Sequence, residues 1–180
     1  MTLVTPSHWL AGLVKESFLK EYPVEVVHNK INLDVFKPTP SDFRSKNGLD
    51  DKIIVLGVAS VWERRKGLDD FVELAGLLDE RYQIVLVGVT PEQAQKLPDS
   101  IMTIARTNSP QALAEIYSSA DYFVNPTYEE NYPTVNLEAR ACGTRIICYD
   151  SGGSSETMGP EDVLIKTKCA ESLAAALTAQ

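Results

Sequence analysis

The chain has 180 residues, 44% of them hydrophobic, and a formal net charge of −8. That length predicts one domain, with room for an extra fragment, and a core that closes without staples. The acidic balance argues against broad binding to nucleic acid or anionic membrane, and no apolar run approaches the ~20 residues of a membrane span.

Ser7 is placed to cap a helix from His8 to Lys20. His8, Lys15 and Glu16 within it are unlike a secretory leader, so a cytoplasmic location is expected. Val24 to Val27 reads as a strand, and Asn29 to Pro40 as a loop punctuated by Pro38 and Pro40. These residues look like a connector.

From about residue 52 strand and helix patterns alternate. Ile53 to Val58 is a continuous apolar run, typical of a central parallel strand. Gly67 to Glu80 follows at helical period, with Leu68, Phe71, Val72, Ala75 and Leu78 on one side. Gln83 to Gly88 is the next strand, Pro91 to Leu97 a short helix, and Ile101 to Ile104 a weaker strand. Ser109-Pro110 starts a helix running to about Ser119. Tyr122 to Val124 is a strand, Pro133 to Gly143 a helix, and Arg145 to Tyr149 a strand. Gly152-Gly153 makes a loop, Val163 to Ile165 the last strand, and Ala170 to Ala179 the last helix. Repeated β-α units predict an α/β fold: a Rossmann-like, doubly wound, mainly parallel sheet of about six strands with helices on both faces. Ligands of such sheets bind beyond the strand C-termini, where strand order reverses.

Glu130 and Glu138 bracket the start of the helix at 133–143. Pro133 suits a first helical turn, and Gly143 a left-handed stop. Val135, Ala139 and Cys142 share one face; Asn136 and Arg140 point away; Glu138 falls inside the apolar arc and needs a partner or ligand. Two carboxylates around a helix N-terminus suggest a site for something rich in hydroxyls and phosphate. A surface Glu130 and a salt-bridged Glu138 would also explain the spacing. Arg64-Arg65-Lys66 lies between a strand end and a helix start, where the helix dipole disfavours cations unless an anion sits among them; a solvated basic run is the alternative. Arg106-Thr107 ends another strand and is placed to contact a base, or is a plain loop.

Other chemistries lack their marks. No G-x-G-x-x-G follows a strand and no Walker motif occurs, which removes the fingerprints of dinucleotide enzymes and P-loop nucleotidases. No metal site is expected. Asp69-Asp70 reads as a dipole-matched surface pair, and His8 and His28 as isolated structural or exposed residues. Cys142, Cys148 and Cys169 have no zinc-motif spacing and read as buried free thiols in a reducing compartment.

The chain resembles the C-terminal, donor-binding half of GT-B-fold retaining glycosyltransferases of the family 4 type, also called group 1. Glu130 to Glu138 resembles the family's E-x7-E motif, followed by Leu-Glu-Ala-x-Ala-Cys-Gly. Lys66-Gly67 resembles its Lys-Gly step, and Gly152 to Glu156 its Gly-Gly-x-x-Glu loop. Thr5-Pro6-Ser7 and Asn29 to Pro38 resemble the segment crossing from the N-terminal domain. The resemblance implies that residues 1–40 are a hinge segment and the end of an N-terminal acceptor domain, and that 41–180 form the nucleotide-sugar donor domain. It implies metal-independent transfer of a sugar, with retention, from a nucleotide-diphosphate sugar to a glycan or lipid-linked acceptor. The roles carried over are Glu138 on ribose hydroxyls, Glu130 on the transferred sugar, and Lys66 with Arg65 or Arg64 on the diphosphate. Asn131, Tyr132, Pro133, Thr134 and Val135 line the phosphate or sugar, and Arg106 and Thr107 lie near the base.

Two positions depart from the family pattern. Ser60 stands where an arginine is common, and Asn131-Tyr132-Pro133 replaces Gly-Phe-Gly, which removes one N–H donor. Polysaccharide biosynthesis and peripheral membrane association of the full-length protein also follow from the resemblance alone, and the fragment by itself is expected to be inactive. A sugar-nucleotide epimerase or hydrolase of similar fold and a non-catalytic nucleotide-sugar binding module are the alternatives.

Overall fold

The computed structural model describes residues 1–179. Its main sheet contains β3 (Ile53–Val58), β4 (Tyr82–Val87), β5 (Ile101–Ile104), β6 (Tyr122–Asn125), β7 (Arg145–Tyr149) and β8 (Val163–Ile165). Every pairing is parallel. The spatial order is β5-β4-β3-β6-β7-β8, so the chain winds outward from β3 in one direction, then returns to lay β6 on its other side. The switch point of this doubly wound sheet lies between β3 and β6.

Side chains alternate across each strand and feed two cores. Val55 joins Phe71 and Leu74 of α3 (Leu68–Leu77) and Leu173 and Leu177 of α7 (Ala170–Thr178). Ile54 and Leu56 join Tyr117 of α5 (Pro110–Ser119) and Ala139 of α6 (Thr134–Ala141) on the opposite face. The crossover after β4 carries only α4 (Pro91–Ala94), held by a Thr90–Gln93 capping box.

Residues 3–26 build a second, smaller sheet, whereas Phe36 and Thr39 in the loop beyond it already meet Tyr117 and Ser118 of α5. β1 (Leu3–Thr5) and β2 (Val24–Val26) pair in parallel as a two-stranded sheet, linked by α1 (His8–Glu16). The helix stops at Glu16, four residues before the predicted end, because the Ser17 N–H and hydroxyl both donate to the Val14 carbonyl and turn the chain. The predicted helix at 67–80 is also shorter. Arg64–Lys66 forms a 3-10 turn before it, and extended Leu78 ends it by packing on the core. Also unexpected were α2 (Phe43–Asn47), closed by left-handed Gly48, and a 3-10 turn at Ser154–Thr157. Among the described residues no helix is long and apolar enough to cross a membrane.

Candidate functional site at the sheet switch point

The loops after β3 and β6 flank the reversal of strand order, and each brings one charged residue to it. Lys66 Nζ donates to Glu130 Oε2 at 2.7 Å, with side chains only 20% and 17% exposed. The pair is set by its neighbours. Gly67 takes the left-handed conformation that ends the 3-10 turn, and a Cβ there would meet the Pro126 carbonyl at 2.4 Å. The Tyr128 N–H donates to the Arg65 carbonyl at 2.8 Å, stitching the two loops together.

Below this stitch, Tyr128 and Tyr149 both donate hydroxyls to Asp70 Oδ1, at 2.9 and 2.7 Å. Desolvation and the adjacent Asp70 carboxylate push the Tyr128 phenol up to about 12 and the Tyr149 phenol well above its usual range. Asp70 is thus a buried anchor, not a member of a surface pair. At helical period Asp70 borders the apolar arc through Phe71 and Leu74, and that was the available signal.

Beyond Glu130 the loop is gripped from the other side. A Cβ on Gly152 would lie 1.8 Å from the Glu130 carbonyl, and one on Gly153 2.0 Å from the Asn131 carbonyl. The close approach permitted by the two glycines is therefore to this loop's backbone. Ser7 donates to Asn131 Oδ1 at 2.6 Å, and Asn29 Nδ2 donates to the Tyr132 carbonyl at 3.2 Å. Glu156 completes the clamp: its two oxygens accept the His8 and Trp9 N–H groups, each at 2.8 Å, at the start of α1.

Pro133 is the N-cap of α6 rather than its first residue. It supplies no capping side chain, and among the described residues none accepts from the Thr134 or Val135 N–H. The helix therefore opens with free donors and no acidic residue in its first turn, a setting favourable to an anion.

Asn136 is fully buried rather than turned outward. It accepts from Asn125 Nδ2 and donates to Thr157 Oγ1, both at 2.9 Å, joining β6, α6 and the 154–157 turn. Glu138 is half-buried, and its Oε2 accepts from the Tyr117 hydroxyl at 3.2 Å. Burial raises the Glu138 carboxyl above its usual range; the Tyr117 bond opposes that shift.

The remaining predicted residues disperse around this centre. Arg64 and Arg65 line an adjoining cleft of about 620 Å³ with Asp69, Tyr128, Glu129 and Lys168, and Arg65 is also paired with Glu63 at 3.1 Å. The run of three cations therefore splits: Lys66 turns to Glu130, and the arginines face the cleft. Ser60 is exposed. Arg106, exposed, and Thr107 follow β5 at the sheet edge, and among the described residues no bond joins them to Lys66 or Glu130. His8 and His28 are exposed but not isolated. Their rings meet edge-on at 5.6 Å, and His28 stacks on Tyr132 at 4.6 Å.

Comparison with known proteins adds a family. A curated relative from Campylobacter jejuni, N,N'-diacetylbacillosaminyl-diphospho-undecaprenol alpha-1,3-N-acetylgalactosaminyltransferase, is 30% identical over 176 residues, covering 91% of this chain and 46% of that protein. The alpha-galactosylglucosyldiacylglycerol synthase of Streptococcus pneumoniae is 30% identical over 158 residues, covering 78% of this chain and 40% of that protein. The chain thus spans about half the length of the curated relatives it matches. Among solved structures, sucrose-phosphate synthase from Thermosynechococcus elongatus superposes with a TM-score of 0.84 at 26% identity, over 99% of this chain and 48% of that one. The C-terminal domain of a group 1 glycosyl transferase (LpcC) from Francisella tularensis shares the fold, with a TM-score of 0.68 at 20% identity, covering 83% and 87%. The model of the family "Glycosyl transferases group 1" matches residues 40–179, and the chain belongs to that glycosyltransferase family.

Proposed function

We propose that this chain is the donor-binding half of a retaining, metal-independent glycosyltransferase. The observation that carries the reading is the Lys66–Glu130 pair across the switch point, beside the uncapped N-terminus of α6. A nucleotide diphosphate needs a cation and free N–H donors for its phosphates, and its sugar needs acceptors for hydroxyls. Lys66 and Thr134–Val135 supply the first, Glu130 the second, and Glu138, one turn into α6, takes the ribose. Arg64 and Arg65 add positive potential from the adjoining cleft.

In the reaction, negative charge grows on the departing diphosphate. Lys66 exchanges Glu130 for the phosphate and offsets that charge, with the helix N-terminus as second stabiliser. Glu130, released, holds the hydroxyls of the sugar being transferred. The acceptor hydroxyl's proton goes to a departing phosphate oxygen on the same face, so configuration is retained. The acceptor is a glycan or a lipid-linked saccharide, in keeping with the lipid named for both bacterial relatives. The catalyst works at the cytoplasmic face, in polysaccharide or glycolipid assembly, without nucleic-acid partners.

Residues 1–40 are a hinge and the end of an acceptor domain. Their exposed apolar side chains, Val4, Leu13, Phe18 (92% exposed), Val27 and Leu33, support this reading, because they fit a surface made to be covered.

Calorimetry with a panel of uridine, guanosine and adenosine diphosphate sugars tests the proposal. One nucleotide class should bind, and Lys66→Ala should weaken it about 10–100-fold, as expected for a charged hydrogen bond of roughly 1.5–3 kcal/mol. In the full-length protein the same change should cost about 10²–10³ in rate, the range for a lost charge stabiliser. Equal donor affinity in Lys66→Ala would remove the lysine from the site.

A further inference from the structure

The residues that clamp α1 onto the sheet carry a second chemistry. His8 opens α1, His28 follows β2, and Glu156 lies in the turn after β7. One ligand-type atom from each falls within 4.8 Å of the others. We propose that these three side chains bind a divalent first-row metal ion, with zinc as the best match, and that the ion locks residues 1–40 against the rim of the main sheet.

Two of the three ligands are prepared by contacts of their own. His28 Nδ1 lies 2.8 Å from the Pro6 carbonyl. A carbonyl only accepts, so Nδ1 carries the proton and Nε2 presents its lone pair, the tautomer a metal needs. Stacking on Tyr132 at 4.6 Å and 12° holds that ring in plane. Glu156 is fixed by the His8 and Trp9 N–H groups, one on each oxygen, and each oxygen keeps a second lone pair. His8 is exposed, and its side chain is free to swing.

Zinc bonds of about 2.0–2.1 Å place tetrahedral ligand atoms roughly 3.3 Å apart. The ligand atoms already lie within 4.8 Å of one another, and the exposed His8 imidazole makes the closing movement, swinging toward Glu156 and the stacked His28. Two imidazoles and one carboxylate select zinc and its transition-metal neighbours over calcium or magnesium, which prefer all-oxygen shells. The fourth position is left to water. The helix N-terminus repels a cation, and the Glu156 charge, set between them, offsets that.

This site is separate from the donor reading, because its occupancy is measured without any sugar nucleotide. The chain, stripped with chelator, is titrated with Zn²⁺ by calorimetry and followed by thermal melting. One equivalent should bind and raise the melting temperature by mass action. His8→Ala and His28→Gln should each weaken binding by at least about 10-fold, the lower range even for an outer-shell partner. Metal-free His8→Ala should melt with the parent, since only its backbone is bonded. Co²⁺ should give a visible spectrum without a thiolate charge-transfer band, and Cys169→Ser should bind as the parent does. No zinc-dependent rise in melting temperature, parental affinity in His8→Ala, or a thiolate band would overturn the proposal.

Discussion

Glu138, the residue proposed for the ribose, sits in a setting that costs stability. It is half-buried and, among the described residues, has one side-chain donor, the Tyr117 hydroxyl. Burial raises its carboxyl above the usual range, so between the unfolded pKa near 4.3 and the folded value the native state binds more protons than the unfolded chain. Stability therefore falls as pH rises through that window. Glu138→Gln keeps the shape and removes the charge. It should melt higher than the parent near pH 7, by up to about 2–4 °C for ~1 kcal/mol in a domain of this size, with the gain vanishing in acid. A melting temperature unchanged at pH 7 would mean the carboxylate is solvated. Lys66 and Glu130 present the contrasting case: each is the other's partner, so neither charge is left uncompensated.

Single helices are positioned here by buried polar links as much as by apolar contact. Asn136 ties α6 to β6 through Asn125 and to the 154–157 turn through Thr157, whose hydroxyl donates to the Ser154 carbonyl at 2.6 Å. Thr127 donates to Asn125 Oδ1 at 2.5 Å, extending the network into the loop that carries Glu130. Asn136→Ala leaves the buried Asn125 Nδ2 donor and Thr157 Oγ1 acceptor without this partner, and denaturant unfolding should show a loss of about 1–3 kcal/mol. A midpoint shift of a few tenths would mean that the partners re-pair among themselves. On the other face, Asp70 of α3 anchors Tyr128, so α3 and α6 approach the switch point from opposite cores and meet at the Lys66–Glu130 pair.

The arrangement of the two sheets bears on what the chain does alone. The six-stranded sheet carries the residues proposed for donor, whereas the two-stranded unit is clamped to its rim by Ser7, Asn29 and Glu156 and exposes apolar side chains outward. No acceptor residue was identified in the sequence, and relatives are about twice as long. The isolated 180-residue chain should therefore bind donor without transferring sugar to any added acceptor, as product analysis by mass spectrometry would show. Transfer by this chain alone would contradict the half-catalyst reading.

Periodicity and local chemistry were enough to locate all six strands of the main sheet and the helices of both cores, because apolar runs such as Ile53–Val58 have no alternative but burial. The E-x7-E spacing and Lys66-Gly67 were legible too, since they are fixed distances along the chain. Contacts distant in sequence were not. Asp70 looked like a surface charge until Tyr128 and Tyr149 closed over it, Asn136 looked exposed until Asn125 and Thr157 came to meet it, and His8 and His28 looked solitary. Local energetics set each element, but the partner of a polar side chain is chosen when the strands take their spatial order. That order brings together residues 64 and 79 positions apart, as in Lys66–Glu130 and Tyr149–Asp70.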